Sequence, residues 1–364
     1  MKKVLQYVPS YSYGGIESFT YEINECLKDQ YKFYYLVEKD VDEKTAKKIE
    51  ALDGEIIRIP NMTKESFRGY VGAVRKLFRS QKFDAVHVHD CNNRFLVTLV
   101  AKLHGVKCRV YHVHSKDIGG SLIARTVKKI GIKLNVWFST ICLACSEEAA
   151  KAKKIRRYKT INNCISADDF RYNKHRGDEI RKKYKVTQDD VLLLFVGRVE
   201  KVKNVGFLLE VLKKVPTEKR NSFVLLIIGD GTEMSKIKKA AKSIDGARII
   251  FAGRQEGLAD YYSASDYLCL PSLAEGFPIT LLEAQANGLN CLASVNVPNV
   301  VNLNKRVRFL RIGEEGIGDW VDALLNTAKS SQQERLGGVE LIKDLKYDSG
   351  STAKEVGKIY EGTK

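Results

Sequence analysis

The feature that most constrains this chain is a rhythm. Short β-rich runs alternate with segments of helical periodicity, the pattern breaks once, and then it restarts. In the first half the runs are Lys3–Val8, Lys32–Val37, Glu55–Ile59, Asp84–His89, Lys107–His114 and Thr140–Ala144, interleaved with helical stretches such as Glu17–Leu27, Phe67–Arg79 and Phe95–Leu103. Parallel strands joined by helices give this alternation, so a doubly wound α/β domain is expected. Residues 160–174 interrupt it with the polar, turn-prone Asn162, Asn163, Ser166, Asp168 and Asp169, where an interdomain linker is expected. Beyond it, Val191–Val196, Ser222–Gly229, Ala247–Ala252, Asp266–Leu270 and Asn290–Ala293 read as strands, with Val205–Leu212, Glu233–Ala241 and Ile279–Ala286 as helices between them. A length of 364 residues suits two such domains. Ligands of open α/β sheets sit at the carboxyl ends of the strands, so two facing domains make a cleft.

Composition excludes several classes. With 44% hydrophobic and 29% charged residues the chain is neither disordered nor a membrane-spanning bundle. Its longest apolar runs, Val191–Val196 and Phe223–Ile228, are strand-length, well short of the ~20 residues that cross a bilayer. Lys2 and Lys3 precede only Val4–Val8 before Pro9, which is no secretory apolar region. The eight scattered cysteines therefore read as reduced, mostly buried thiols of a cytoplasmic protein. Of the net charge of +17, residues 1–168 hold +12 (30 Lys and Arg against 18 Asp and Glu) and the remainder +5 (31 against 26). The first half thus faces something anionic, or carries a solvated basic surface without a partner.

Three stretches carry phosphate or sugar chemistry. The first strand runs into Pro9-Ser-Tyr-Ser-Tyr-Gly14-Gly15-Ile16-Glu17. This is not the G-x-G-x-x-G of dinucleotide binding, but a Gly-Gly pair between strand and helix lets backbone approach a ligand, with a helix N-terminus behind it that favours phosphate. A plain tight turn fits the pair equally. In the second half Val196-Gly197-Arg198 ends a strand and Lys203-Asn204 opens the next helix, placing two cations at the carboxyl edge of a sheet, where a diphosphate would bind. Glu200 and Lys201 beside them leave ordinary surface charge open as an alternative. The most specific stretch is Pro271-Ser-Leu-Ala-Glu275-Gly276-Phe277-Pro278-Ile279-Thr280-Leu281-Leu282-Glu283. Pro278 suits the first position of a helix, and the amides of Gly276, Phe277, Ile279 and Thr280 would point at an anion or at hydroxyls. Glu275 falls on the loop and Glu283 two turns into the helix. Eight residues at 1.5 Å each span about 12 Å, wider than the ~5–5.5 Å between the paired carboxylates of a retaining glycosidase. The two glutamates are expected to touch different parts of one elongated ligand, as a nucleotide sugar is.

Other residues are more ambiguous. His87 and His89, and His112 and His114, each lie at strand spacing on one face. A metal site is conceivable, but no Asp-x-Asp or Cys/His spacing supports it. His89 and His114, last in their strands, would reach the cleft, with His87 and His112 in the core. Cys142-Leu-Ala-Cys145 has redox-like spacing but continues a strand without the helix N-terminus such a motif needs, so it reads as packing. Between Ile118 and Phe138, Arg125, Lys128, Lys129 and Lys133 interleave with Ile123, Val127, Ile130, Leu134, Trp137 and Phe138, the pattern of an interfacial membrane helix or of a buried connecting helix with a solvated Lys edge. Lys151, Lys153, Lys154, Arg156, Arg157 and Lys159 add a second basic cluster.

Taken in order, these pieces resemble the family 4 retaining glycosyltransferases of the GT-B fold, especially those of bacterial capsular and exopolysaccharide assembly. The resemblance covers essentially the whole chain: Gly14-Gly15-Ile16-Glu17, Tyr111-His112-Val113-His114-Ser115, Ala144-Cys145-Ser146, Ile161-Asn162-Asn163, Val196-Gly197-Arg198 with Lys203, Ile228-Gly229-Asp230-Gly231, Phe251-Ala252-Gly253, and Glu275-x7-Glu283. It implies two Rossmann-like domains facing across a cleft. An acceptor-binding domain would span residues 1–165, with a C-terminal helix at about 350–364 packing back on it, and a nucleotide-sugar donor domain would span 166–349. By position, Gly14 and Gly15 resemble the backbone beside the donor phosphate. Arg198 and Lys203 look like the diphosphate cations, so that neither a cofactor nor a divalent metal is expected. Gly253 and Arg254 sit where the base is read, and Glu275 and His114 near the donor sugar as the catalytic pair. Gly276, Phe277, Pro278, Ile279 and Thr280 complete the donor loop, with Glu283 on the ribose.

The resemblance further implies a UDP-sugar donor, a saccharide acceptor carried on polyprenyl diphosphate, and no nucleic-acid partner. Arg125, Lys128, Lys129 and Lys133 would form the acceptor or membrane face of an enzyme peripheral at the anionic inner surface. Asn204 departs from the glycine usual after the lysine. A nucleotide-sugar epimerase should lack a basic amphipathic acceptor domain, and a catalytically degenerate partner subunit or sugar-binding module commonly loses one of the key charges, all four of which stand here.

Overall fold

A computed structural model of the protein describes residues 1–11, 15–63, 65–115, 121–299, 302–303, 305–326 and 329–362. The chain divides into two compact units, Met1–Cys164 with Ser349–Lys364, and Ile165–Asp348.

The first unit is built on seven parallel strands: β1 (Lys2–Tyr7), β2 (Tyr31–Val37), β3 (Glu55–Arg58), β4 (Ala85–His89), β5 (Cys108–Val113), β6 (Ile141–Ala144) and β7 (Lys159–Thr160), in the order β3-β2-β1-β4-β5-β6-β7. The second has six, β8 (Val191–Val196), β9 (Phe223–Ile228), β10 (Arg248–Gly253), β11 (Tyr267–Leu270), β12 (Asn290–Ser294) and β13 (Val307–Leu310), in the order β10-β9-β8-β11-β12-β13. Both orders reverse beside their first strand, between β1 and β4 and between β8 and β11. In open α/β sheets, the carboxyl edge at such a reversal is where ligands bind.

Helices cover both faces of each sheet, which explains the unbroken apolar runs. Along β8, Leu193 and Phe195 enter one core, and Leu192, Leu194 and Val196 enter the other. Along β1, Leu5 and Tyr7 pack on one face and Val4 on the opposite one, where the buried Gln6 is the polar exception. The last helix, Ser349–Glu361, lies on the first unit against the helix Gly15–Leu27, and Tyr360 enters the same core as Val4 and Phe19.

The boundary between the two units, Cys164 to Ile165, falls inside the stretch 160–174, where residues 161–167 are packed rather than exposed. Ile161, Cys164, Ile165 and Ala167 are buried, and Ile165 pairs with Asp348, so the two ends of the second unit close on each other. Two expectations need correction. Pro278 occupies the cap before the helix Ile279–Ala286, with extended backbone (ψ 98°), and Glu283 is therefore one turn into the helix. Cys145 does precede a helix, Glu147–Ala152, capped by Ser146. Even so, burial pushes the Cys142 and Cys145 thiols up to about 11, so they pack as neutral groups. Among the eight thiols only Cys26 is exposed.

Candidate functional site

In the second unit the loops after β8 and β11 are sewn together at the point where the strand order reverses. The Leu273 amide donates to the Val202 carbonyl (2.8 Å), and Asn204 Nδ2 donates to the Pro271 carbonyl (3.2 Å). Asn204 is left-handed (φ 53°), a conformation open to Gly and tolerated by Asn. The backbone there thus accounts for the departure seen in the sequence. The two loops meet in a charge pair: Lys203 Nζ donates to Glu275 Oε1 at 2.7 Å, with side chains only 19% and 10% exposed. The fully buried Ser272 hydroxyl donates to the same oxygen at 2.6 Å. Arg198 and Arg254 stand exposed at the ends of β8 and β10.

Glycines bring these strand ends close. Gly229 (φ 133°) follows β9; its amide donates to the Gly253 carbonyl (2.8 Å), and a Cβ on it would fall 1.8 Å from the Gly197 carbonyl oxygen. At Gly253 the requirement is conformational alone: φ is 67°, and a Cβ would meet nothing within 4 Å.

Beyond the loop, Gly276 is exposed, while Phe277 stacks on Tyr347 (centroids 5.8 Å apart) and Ile279 packs on the small core around Val339. Phe277 and Ile279 therefore spend their side chains on packing, which leaves their backbone for a ligand. Glu283 is partly buried and accepts a 2.6 Å hydrogen bond from Tyr262, whose ring is fully buried. Burial pushes the Glu283 carboxyl up to about 7, and the Tyr262 bond offsets part of that rise.

In the first unit Gly14 lies outside the described residues, and Gly15 is exposed at the start of its helix. The four strand histidines form one buried stack. His87 and His89 lie 4.0 Å apart between ring centroids, as do His112 and His114. His114 Nε2 is 2.9 Å from His89 Nδ1, and His89 Nε2 is 2.8 Å from Gln6 Oε1. His87 bonds both Tyr360 (2.7 Å) and His112 (3.2 Å). His89 does not reach the sheet edge as expected, because the hydrogen bonds to Gln6 and His114 hold it inside at 2% exposure. His114, at 8%, is the outermost of the four. Desolvation lowers all four, His114 to about 4, so they are neutral imidazoles. Nitrogens of His87, His89 and His112 lie within 4.8 Å of one another, close enough for a metal ion, but each ring is hydrogen-bonded within the stack.

The second basic cluster is smaller than it reads. Lys153 is buried, its ammonium bonded to Asp90 and to Asn92 Oδ1 (2.9 Å), and Lys159 pairs with Glu355 at 2.9 Å. The helix Leu122–Phe138, by contrast, is not a buried connector. Its fully buried residues are Gly131, Ile132 and Asn135, with Asn135 Nδ2 donating to the Cys91 carbonyl at 3.0 Å, and Val136 and Phe138 pack beside them. Leu122, Ile123, Val127, Ile130 and Trp137 remain 52–80% exposed beside the exposed Arg125, Lys129 and Lys133 and the half-buried Lys128.

Sequence reasoning assigned no role to Ser272 or Tyr262. Ser272 lies inside the loop that was legible, whereas Tyr262 has no signal, being brought to Glu283 by the fold from 21 residues away. No helix among the described residues is long and apolar enough to cross a membrane.

Residues 177–307 match the family described as Glycosyl transferases group 1. The chain is 25% identical over 359 residues to EpsF of Bacillus subtilis (strain 168), a protein named as a glycosyltransferase, covering 96% of this chain and 93% of that one. It is 27% identical over 301 residues to the UDP-Gal:alpha-D-GlcNAc-diphosphoundecaprenol alpha-1,3-galactosyltransferase of Escherichia coli, covering 75% and 77%. Among solved structures, HepE of Anabaena in complex with UDP aligns over 100% of both chains with a TM-score of 0.77 at 14% identity. The chain has the GT-B fold, and residues 177–307 of its second unit are similar to the glycosyl transferases group 1 family.

Proposed function

We propose that the protein is a retaining, metal-independent glycosyltransferase. It would move a sugar from a nucleotide sugar, a UDP-sugar by this reading, to a hydroxyl of a saccharide carried on polyprenyl diphosphate, in cell-surface polysaccharide assembly. The observation that carries this reading is the Lys203–Glu275 pair at the reversal of the second sheet, with a second carboxylate, Glu283, one turn into the helix beyond. A cation for the diphosphate and two separate carboxylates for sugar and ribose hydroxyls suit an elongated anionic ligand. The names of the E. coli relative and of the HepE complex support a UDP-linked donor and a lipid-linked acceptor.

In this reading Arg198 and Lys203 hold the diphosphate, Gly253 and Arg254 read the base, Glu283 takes the ribose, and the backbone of residues 276–280 lines the sugar. On the first unit, Gly14 and Gly15 serve the donor phosphate and His114 the donor sugar. The bond from the anomeric carbon to the diphosphate breaks while the acceptor oxygen attacks the same face. The acceptor proton passes to a phosphate oxygen, and Arg198 and Lys203 stabilise the charge growing on the leaving group. Those two cations supply the charge that a divalent metal would otherwise bring.

A donor panel tests the proposal. UDP-glucose, UDP-galactose, UDP-N-acetylhexosamines and GDP-mannose are compared by thermal shift and by slow hydrolysis in the presence of EDTA. One UDP-sugar is expected to raise the melting temperature and to be hydrolysed with retention at the anomeric carbon. Stabilisation by none of them, or hydrolysis that EDTA abolishes, overturns it.

A further inference from the structure

Glu283 is held from behind by buried groups. The Tyr262 hydroxyl, on the helix Leu258–Ala264, donates to its Oε2 at 2.6 Å from a fully buried ring. That helix is itself clamped. The buried Arg335 sends Nη2 to the Tyr262 carbonyl (2.7 Å), Nη1 to the Ser263 and Ser265 carbonyls (3.3 and 3.1 Å), and Nε to the Asn287 carbonyl at the end of the Glu283 helix (3.3 Å). One guanidinium thereby caps the carboxyl ends of both helices, the ends a cation stabilises. Gly288 (φ 67°) permits this approach, since a Cβ there would fall 2.4 Å from the Arg335 backbone. Cys291 on β12 also faces Tyr262, and burial keeps its thiol neutral.

We propose that Tyr262 is a positioning residue, locked by the Arg335 clamp, that orients Glu283 and holds it as a carboxylate for hydroxyl recognition. The proposal rests on reading Glu283 as the ribose ligand. A Glu283 carboxylate must accept from a diol, and burial alone opposes ionisation there. A donated hydrogen bond from a hydroxyl too deep to meet water offsets that cost in the ionised form only. Because the phenol is neutral and donates, it does this without adding charge to an anion-binding site.

The test compares wild type, Tyr262→Phe and Glu283→Gln. The Glu283 side-chain carboxyl is followed by carbon NMR against pH in the unliganded protein, and UDP binding is followed by calorimetry over the same range. In Tyr262→Phe the carboxyl midpoint is expected to rise by about one pH unit, so that UDP affinity falls about fivefold at pH 7 yet stays near wild type at pH 9. Glu283→Gln should bind weakly at every pH. An unmoved midpoint in Tyr262→Phe overturns the proposal whether or not UDP binds. A wild type that fails to bind UDP overturns the donor reading instead, and leaves the carboxyl titration to decide the role of Tyr262. Should Tyr262→Phe not fold, fluorotyrosine incorporated into the wild-type chain makes the phenol a stronger donor. It should move the midpoint down, and no movement overturns the proposal.

Discussion

Lys203 and Glu275, 72 residues apart in the chain, share a 2.7 Å ion pair in which Glu275 Oε1 also receives the Ser272 hydroxyl. Neither side chain is more than 19% exposed, so the pair is desolvated enough for removal of one partner to leave an uncompensated charge. A bound diphosphate would compete with Glu275 for the ammonium.

Glu275→Ala is expected to abolish transfer while nucleotide binding, measured by calorimetry, stays within a fewfold of wild type. Lys203→Ala should weaken donor binding and turnover together by about 2–3 kcal/mol, and in a cycle read by donor affinity the double variant should lose less than the sum because the two act as a unit. Full activity in Glu275→Ala, or strict additivity in the cycle, contradicts the shared site.

The histidine stack predicts how the first unit responds to acid. The four folded-state values lie below the ordinary histidine value of 6.5, His114 at about 4. Below pH 6.5 the unfolded chain therefore binds protons that the folded unit refuses. Stability is complete above that pH and falls as the solution is acidified toward 4, by about 1.4 kcal/mol per pH unit for each histidine. Urea titrations between pH 7 and 4.5 should show this slope, and His112→Phe should reduce it by about one proton. A slope unchanged by that substitution would place the acid sensitivity elsewhere.

How far the sequence is legible follows from where its signals live. β8 and β9 can be read residue by residue because strands covered on both faces leave unbroken apolar runs. β13 (Val307–Leu310) cannot, since Arg308 points outward and breaks the run, and β7 is two residues long. The helix Lys174–Lys183 offers Ile180 as its one large apolar residue and shows no period. At the candidate site, loop chemistry points to Glu275, Lys203 and Glu283. Their buried supports are silent, because Ser272, Tyr262 and Arg335 are ordinary residues until the fold brings them together. Lys153 misleads in the opposite sense: in a run of cations it reads as surface charge, yet its ammonium is buried against Asp90 and Asn92.

Two glycines of the second unit separate folding from binding. Gly229→Ala would put a Cβ 1.8 Å from the Gly197 carbonyl oxygen at a φ that L side chains rarely adopt, and should cost about 3 kcal/mol or more. A Cβ at Gly276 would meet nothing within 4 Å, so Gly276→Ala should melt within about a degree or two of wild type. If its backbone lines the donor, Gly276→Ala should still lose donor affinity severalfold by calorimetry. Wild-type affinity there would remove Gly276 from the site.

The helix Leu122–Phe138 supplies the last prediction. Its exposed apolar residues stand on the same element as Arg125, Lys128, Lys129 and Lys133, and Trp137, 73% exposed, is at its far end. An apolar stripe edged by cations suits the boundary between headgroups and acyl chains, where each cation near an anionic leaflet contributes about 1 kcal/mol. Replacing Lys128, Lys129 and Lys133 with Glu should therefore lower partitioning onto phosphatidylglycerol vesicles by at least about 100-fold at low salt, with little change on phosphatidylcholine. Trp137→Ala should reduce binding to both, because the ring contributes by burial rather than by charge. Sedimentation with vesicles of the two compositions separates these effects. If the triple variant partitions like wild type, this helix is not a membrane face.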